Sequence, residues 1–182
     1  MPLLQLPSET RTQIYSLVLM QHATIILPDV NILEPSLLQV TRQIRRETES
    51  ISWSKNTFCI SLRNTNSDPL VRLQLKLDRL RATYSIDPDI EVSSSHQVPH
   101  CANLMKWLER IHNGTVGLGY PEPKAVYLGA DVHLVKEYTV YSIFETVYRH
   151  LQDPWEDLRG LVEVQCAALR QLEHRWAMGR VP

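Results

Sequence analysis

Four side chains that could bind zinc lie close together in the middle of the sequence: His96, His100, Cys101 and His112. Imidazole nitrogens and thiolates are the usual zinc ligands in proteins. The spacing does not match a zinc site, because His96 and His100 flank a proline-containing loop rather than lying at positions i and i+4 of a helix. No second His/Cys pair has finger-like spacing. The sequence therefore predicts no metal and no cofactor.

A second group of candidate residues consists of aromatic rings and one histidine. It comprises Trp107, Tyr138, Tyr141, Tyr148 and His150. Such side chains can line a small-molecule pocket, although aromatic residues at helical spacing are more often core. The sequence also lacks a nucleophile elbow and a His-Glu-x-x-His zinc motif. A non-enzymatic role is therefore favoured, and a small-molecule-binding protein or enzyme with an aromatic and histidine-lined pocket is the alternative.

Composition excludes several classes of partner. The chain has 182 residues, a formal net charge of -1, 43% apolar residues and 21% charged residues. This balance provides no general attraction to nucleic acid or to an anionic membrane, and no apolar run approaches the ~20 residues of a membrane-spanning helix. The three cysteines are widely spaced and form no Cys-x-x-Cys pair, which is typical of reduced thiols. We expect an intracellular protein, cytoplasmic or nuclear, without nucleic-acid or membrane partners.

The N-terminal segment predicts an amphipathic helix that begins at Ser8. The Ser8 hydroxyl is expected to accept a hydrogen bond from an otherwise unpaired N-H group of the first turn. Ile14, Leu17 and Val18 are three and four residues apart, so they are predicted to form one apolar face. This face needs an apolar partner, and we expect a second helix to supply it.

The next segments predict a helix and a set of short strands. Residues 35–53 have helical periodicity, and residues 57–62 are rich in strand-forming side chains. Residues 23–27 are expected to pair with that strand in antiparallel fashion. Strict alternation of apolar and polar side chains over residues 71–78 predicts a further strand. The polar and proline-rich residues 83–100 predict a long loop.

The C-terminal half predicts helices and one more strand. A helical pattern over residues 100–112 ends at Gly114. Residues 124–129 predict a strand, residues 137–151 a helix, and the residues after Pro154 a last helix that extends to Trp176. The predicted fold class is α+β, with a small, largely antiparallel sheet covered by helices and a helical C-terminal segment.

Three sequence blocks in order resemble the N-terminal signature of a family of fungal F-box-like proteins, also called the two-E-x-R domain. The first is Leu-Pro-x-Glu-x-Arg-x-x-Ile-Tyr at residues 6–15, the second is Leu-Leu-x-Val-x-Arg-Gln-Ile-Arg-x-Glu at residues 37–47, and the third is Trp-Ser-x-Asn-Thr-Phe at residues 53–58. Residues 104–111 resemble a later helix of the family. The resemblance covers roughly residues 1–135.

This resemblance implies a function in protein interaction. F-box similarity implies docking of the Skp-type adaptor of a cullin-type ubiquitin ligase. The residues of this chain that would contact such an adaptor are Leu6, Pro7, Ile14 and Leu17. The expected protein is a non-enzymatic fungal F-box-like interaction module, with this adaptor as its partner.

Charged residues in the first two blocks are predicted to form ion pairs between the two helices. In the resemblance, the acidic and basic positions of the first block face those of the second. The set is Glu9, Arg11, Arg42, Arg45 and Glu47. A partly buried pair of this kind fixes how two helices dock. Alternatively, Arg42, Arg45 and Arg46 form a basic patch for phosphate groups or for an acidic partner surface.

Length predicts one domain over residues 1–182, because a chain of this size can bury a sufficient core without disulfides or a metal. Within it, residues 1–62 form the F-box-like part, residues 63–135 a strand-helix-strand part, and residues 136–182 the C-terminal helices.

Overall fold

The computed structural model describes residues 3–27, 36–94, 100–123 and 132–172. Within these ranges the chain forms six α-helices and three β-strands. The helices are α1 (Ser8–Leu19), α2 (Arg42–Lys55), α3 (Asp68–Tyr84), α4 (Cys101–His112), α5 (Val132–Arg149) and α6 (Trp155–Leu172). The strands are β1 (Ile25–Leu27), β2 (Thr57–Leu62) and β3 (Asp89–Ser94). The α+β class predicted from the sequence is confirmed.

The three strands form one sheet in the order β1-β2-β3, and the predicted antiparallel pairing is wrong. β1 and β2 run parallel, with Ile25 opposite Phe58 and Leu27 opposite Ile60. The connection between these strands contains α2, and a crossover that includes a helix is what allows parallel neighbours. The predicted loop over residues 83–100 is also corrected, because its middle forms β3.

The first helix differs from the prediction in its capping interaction, and the second predicted helix differs in its extent. α1 does begin at Ser8, but Pro7 is its N-cap residue and no side chain caps it; the Arg11 N-H donates to the Pro7 carbonyl instead (3.1 Å). The predicted helix over residues 35–53 is divided into a short 3-10 helix, Ser36–Gln39, and α2. Thr41 separates them, because its backbone is extended and its hydroxyl accepts the Ile44 N-H (3.1 Å).

Residues 71–78, predicted as a strand, are part of α3. Four buried leucines in and beside this segment recur at helical spacing: Leu70, Leu73, Leu77 and Leu80. Leu75 belongs to the same alternating pattern but is 69% exposed. Leucine, arginine, lysine and glutamine all favour helices, and Pro69 is tolerated in the first turn. The alternation of apolar and polar side chains at residues 71–78 therefore does not mark a strand.

The chain divides into two compact units. The first contains residues 1–61 and 75–91, and the second contains residues 62–74 and 92–182. α3 therefore contributes its first seven residues to the second unit and the remainder to the first.

The core of the first unit is built where α1 packs against α2. Tyr15 and Leu19 of α1 are buried against Ile44 of α2. Partly buried apolar side chains complete this cluster: Leu3, Leu37 and Ile51. Beyond it, Trp53 at the end of α2 stacks on Phe58 of β2, with ring centroids 4.4 Å apart. The predicted docking of the first two helices is thus present.

The second unit is built from α4, α5 and α6, which pack against one another. Trp107 of α4 is fully buried and meets the Phe144 ring of α5 edge to face, with centroids 4.7 Å apart. At the start of α3, Asp68 accepts hydrogen bonds from Arg110 (2.6 Å) and Lys106 (3.0 Å) of α4. Both hydrogen bonds lower the pKa of Asp68, and the one from Arg110 has the larger effect.

The predicted helices of the C-terminal half are confirmed where the structure describes them. α4 ends at His112, and Gly114 follows with a left-handed backbone (φ +72°), as expected of a residue just past a helix. α5 begins before the predicted residue 137, and α6 follows Pro154. The strand predicted over residues 124–129 and the predicted helical position of Trp176 lie outside the described residues.

Two leucines of α3 distinguish the helix from the predicted strand. In the strand pattern Leu75 and Leu77 would face the same side, whereas in α3 Leu77 is buried and Leu75 is exposed. We expect Leu77→Ala to lower the free energy of unfolding by about 2–5 kcal/mol and Leu75→Ala to change it by less than about 0.5 kcal/mol. Urea unfolding of both variants measures this difference, and equal losses would contradict the helical assignment.

Candidate functional site

The candidate site is the outer face of α1 together with the contacts that fix this helix on α2. A bidentate ion pair joins the two helices: Arg11 Nε donates to Glu47 Oε2 (2.9 Å) and Arg11 Nη2 donates to Glu47 Oε1 (2.8 Å). The third nitrogen, Nη1, donates to the Leu6 carbonyl (2.6 Å). One guanidinium therefore holds both the helix partner and the segment that leads into α1. This fork geometry is specific to arginine.

Glu47 receives further hydrogen bonds from two uncharged side chains. The Tyr15 hydroxyl donates to Oε2 (3.1 Å), and Gln43 Nε2 donates to Oε1 (3.1 Å). The hydrogen bonds from Arg11 and then from Gln43 lower the pKa of Glu47 from 4.5 to about 2. Burial of the ring, followed by the hydrogen bond to Glu47, raises the pKa of Tyr15. Both groups therefore keep their protonation states at neutral pH.

The structure brings together Arg11 and Glu47 of the five residues predicted to form ion pairs. Glu9 and Arg42 are exposed. Arg45 donates its Nε to the Leu38 carbonyl of the preceding 3-10 helix (2.7 Å). The hydrogen-bonding role of Tyr15 was missed, although Arg11, Tyr15 and Leu19 lie four residues apart and so form one row of α1.

A second carboxylate of α2, Glu49, binds α3 within the first unit. Its side chain is buried and accepts hydrogen bonds from Lys76 Nζ (2.6 Å), from Arg79 Nη2 and from the Tyr84 hydroxyl (3.0 Å). Burial by itself raises the pKa of Glu49, but the hydrogen bond and charge of Lys76 and the hydrogen bond of Tyr84 outweigh it, so the pKa is lowered. Lys76 also lies over the Trp53 ring, 5.8 Å from its centroid.

The residues predicted to bind a partner differ in exposure. Leu6 and Ile14 are half-buried, Pro7 is exposed and Leu17 is 83% exposed. The prediction that Leu17 and Val18 pack inward on the second helix is wrong, since Val18 is also 63% exposed. The face of α1 that packs on α2 contains Tyr15 and Leu19, and Leu17 lies about 160° away from both around the helix.

The exposed apolar residues of α1 belong to a stretch without formal charge. Residues 12–27 contain no Asp, Glu, Lys or Arg. Besides Leu17 and Val18, this stretch exposes Met20 just after α1 and Ile26 in β1, the latter to 73%. Single exposed apolar side chains are common on proteins, whereas a contiguous exposed apolar patch marks an interaction site; these residues lie close together in sequence. We call Leu17, Val18 and Met20 the α1 apolar face.

The aromatic residues of the alternative pocket are divided between core and surface. Trp107 is buried, and its Nε1 donates to the Leu118 carbonyl (3.0 Å). Tyr141 is half-buried, whereas Tyr138, Tyr148 and His150 are exposed. His150 Nδ1 lies 2.6 Å from Asp153 Oδ2 in the turn after α5. Of these five side chains, Trp107 is therefore the one that belongs to the buried core.

The structure describes three of the four residues weighed as zinc ligands, His100, Cys101 and His112. Among the described residues, no group of three or more His, Cys, Asp and Glu side chains is arranged to hold a metal ion. His100 is the N-cap residue of α4 and His112 is its last residue, where Nε2 contacts the Asp153 carbonyl oxygen (2.8 Å). His96 lies outside the described residues.

None of the helices in the described residues has both the length and the apolar character needed to cross a bilayer. Comparisons with protein-family models, with curated proteins and with solved structures gave no match to this chain.

The low pKa of Glu47 predicts a loss of folding stability in acid. This pKa is about 2 in the folded protein, against 4.5 for a glutamate without such partners. Glu47 therefore stabilises the fold above about pH 4.5, and this contribution disappears as the pH falls toward 2. We expect the stability advantage of the wild type over Glu47→Gln to shrink across this interval in urea unfolding. In an Arg11→Met background the Glu47→Gln change should cost less and depend less on pH. An unchanged cost in that background would contradict the ion pair.

Removal of the buried Glu49 carboxylate is expected to lower the stability of the fold strongly. Glu49→Ala leaves the largely buried Lys76 ammonium without this partner, and breaking a buried pair from one side costs about 3–5 kcal/mol. Asp78→Ala is the matched control, because it removes an exposed carboxylate that pairs with Arg81 on α3 and should cost less than about 1 kcal/mol. Thermal unfolding of the two variants compares them, and similar losses would show that Glu49 is not a buried anchor.

Proposed function

We propose that the chain is a non-enzymatic F-box-like protein-interaction module that docks a Skp-type adaptor through the α1 apolar face. The observation that carries this proposal is the exposure of Leu17 on the side of α1 opposite the buried Tyr15 and Leu19, together with the exposure of Val18 beside it. The resemblance of residues 6–15 to the fungal F-box-like signature supplies the identity of the partner. It places the same helix in the role of the adaptor-binding element.

Two physical features suit α1 for docking. Its inner side is anchored by the buried ring of Tyr15, by Leu19 and by the bidentate ion pair of Arg11 with Glu47. A helix that is held in place before binding loses little conformational freedom on association. Its outer side then presents leucine and valine to a groove, which is the helix-in-groove mode of recognition.

The energetic gain from docking comes from apolar area. Burial of accessible apolar surface is worth about 25 cal/mol per Å², and Leu17 and Val18 offer most of their side-chain surface for burial. Because residues 12–27 carry no formal charge, electrostatic steering contributes little on this stretch. The association should therefore depend weakly on ionic strength, in contrast to binding through a basic patch.

Substitution of an exposed leucine tests the proposal. Leu17→Asp places a charge in the centre of the α1 apolar face and should weaken capture of a purified Skp-type adaptor by at least about tenfold, or about 1.4 kcal/mol. Leu75→Asp is the matched control, since Leu75 is a similarly exposed leucine on another helix of the first unit. It should leave capture unchanged. Isothermal titration calorimetry at two salt concentrations provides the measurement.

Two outcomes would contradict the proposal. If the folded wild type does not bind the adaptor, the ubiquitin-ligase role is wrong. If Leu17→Asp and Leu75→Asp bind as the wild type does, the α1 apolar face is not the docking surface. Circular dichroism of both variants separates loss of binding from loss of structure, and neither substitution alters a buried side chain.

A further inference from the structure

A pocket of about 270 Å³ lies in the second unit, where α4 packs against α6. Its lining contains two thiols, one thioether and one carboxylate. The residues are Cys101, Ala102, Met105, Glu163 and Cys166. Neither cysteine forms a disulfide in this structure. Two of the three cysteines of the chain therefore share one small pocket, although 64 residues separate them in sequence.

We infer that Cys101 and Cys166 form a peroxide-responsive dithiol site, in which Cys101 is oxidised first and Cys166 then closes a disulfide between α4 and α6. The ligand class is a small peroxide, with hydrogen peroxide as the simplest member. This site is separate from the α1 apolar face, because its residues all belong to the second unit.

Accessibility assigns different roles to the two thiols. Cys101 is half-buried, whereas Cys166 is 2% exposed. A redox-active cysteine is accessible to the oxidant and lies near a second thiol that resolves it. Cys101 is therefore the thiol that peroxide reaches, and Cys166 is the resolving thiol. A water molecule occupies about 30 Å³ in the liquid, so the pocket has room for hydrogen peroxide.

Cys101 lies at the N-terminal end of α4. It is the first residue of this helix, and the N-cap residue His100 makes no side-chain cap. The positive end of a helix stabilises a thiolate, which is the nucleophilic form. Glu163 lines the same pocket, but its carboxylate is paired with Arg159 of α6, with Nε 3.0 Å from Oε1. This pairing reduces the repulsion that Glu163 would exert on a thiolate.

The chemistry balances with peroxide as the only added reactant. The Cys101 thiolate attacks one peroxide oxygen, a sulfur-oxygen bond forms as the oxygen-oxygen bond breaks, and the leaving hydroxide takes a proton to become water. The sulfur is oxidised by two electrons and the peroxide is reduced by two. The Cys166 thiol then attacks the sulfenic acid, a sulfur-sulfur bond forms, and a second water leaves.

Peptide mapping after peroxide treatment tests the inference on the full chain. In the wild type we expect a 101–166 disulfide, a mass lower by two hydrogen atoms, and a single remaining titratable thiol at Cys59. Cys101→Ser should abolish the disulfide. Cys166→Ala, which avoids a buried hydroxyl, should stop the reaction at a Cys101 sulfenic acid that dimedone labels.

Cys59→Ala is the matched control, since Cys59 lies on β2 in the first unit, and it should form the 101–166 disulfide at the wild-type rate. The inference is overturned if Cys59 oxidises while Cys101 and Cys166 stay reduced, or if oxidation yields only disulfides between chains. Should Cys166→Ala fail to fold, the wild-type peptide map alone decides, because the presence or absence of the 101–166 link does not depend on a variant.

Discussion

Two carboxylates on α2 organise the first unit. Glu47 accepts hydrogen bonds from Arg11 and Tyr15 of α1, and Glu49 accepts them from three residues of α3, Lys76, Arg79 and Tyr84. Each carboxylate is thus matched by at least one cation and by one tyrosine hydroxyl. A charge that leaves water is tolerated only with such partners, so this arrangement fixes the rotation of both helices about α2. It favours one way of docking over the many that apolar contact alone would permit.

The function proposed for α1 depends on this constraint. Arg11, Tyr15 and Leu19 lie on one row of the helix, and the ion pair with Glu47 turns that row toward α2. Leu17 lies about 160° from Tyr15 around the helix and must then face outward, and Val18 at the end of α1 is exposed as well. The exposure of Leu17 is a consequence of where the charges are satisfied, and the two residues leave an apolar, uncharged surface on a firmly held helix. This combination is typical of a surface that a partner covers.

The second unit relies mainly on apolar packing. Trp107 and Phe144 meet at the centre of α4 and α5, and the indole N-H is satisfied by the Leu118 carbonyl. Its main ionic contact among the described residues joins Asp68 to Arg110 and Lys106, which ties the start of α3 to α4. The small pocket lined by Cys101 and Cys166 lies where α4 packs against α6.

Local sequence signals were sufficient for several helices. α1, α4 and α6 follow from apolar periodicity together with Pro7, Gly114 and Pro154 as boundary residues, and the strand character of β2 follows from its strand-forming side chains. α2 follows from its periodicity, whereas the division of this segment at Thr41 was not predicted. Contacts between distant residues settled the features that depend on a packing partner. The alternation over residues 71–78 predicted a strand, and burial of Leu73 and Leu77 together with Leu70 and Leu80 selected the helix. Three features join residues far apart in sequence: the parallel pairing of β1 with β2, the inward face of α1, and the pocket that Cys101 and Cys166 both line. Local spacing cannot encode these choices, because each one depends on which distant side chain satisfies a charge, a hydrogen bond or an apolar surface.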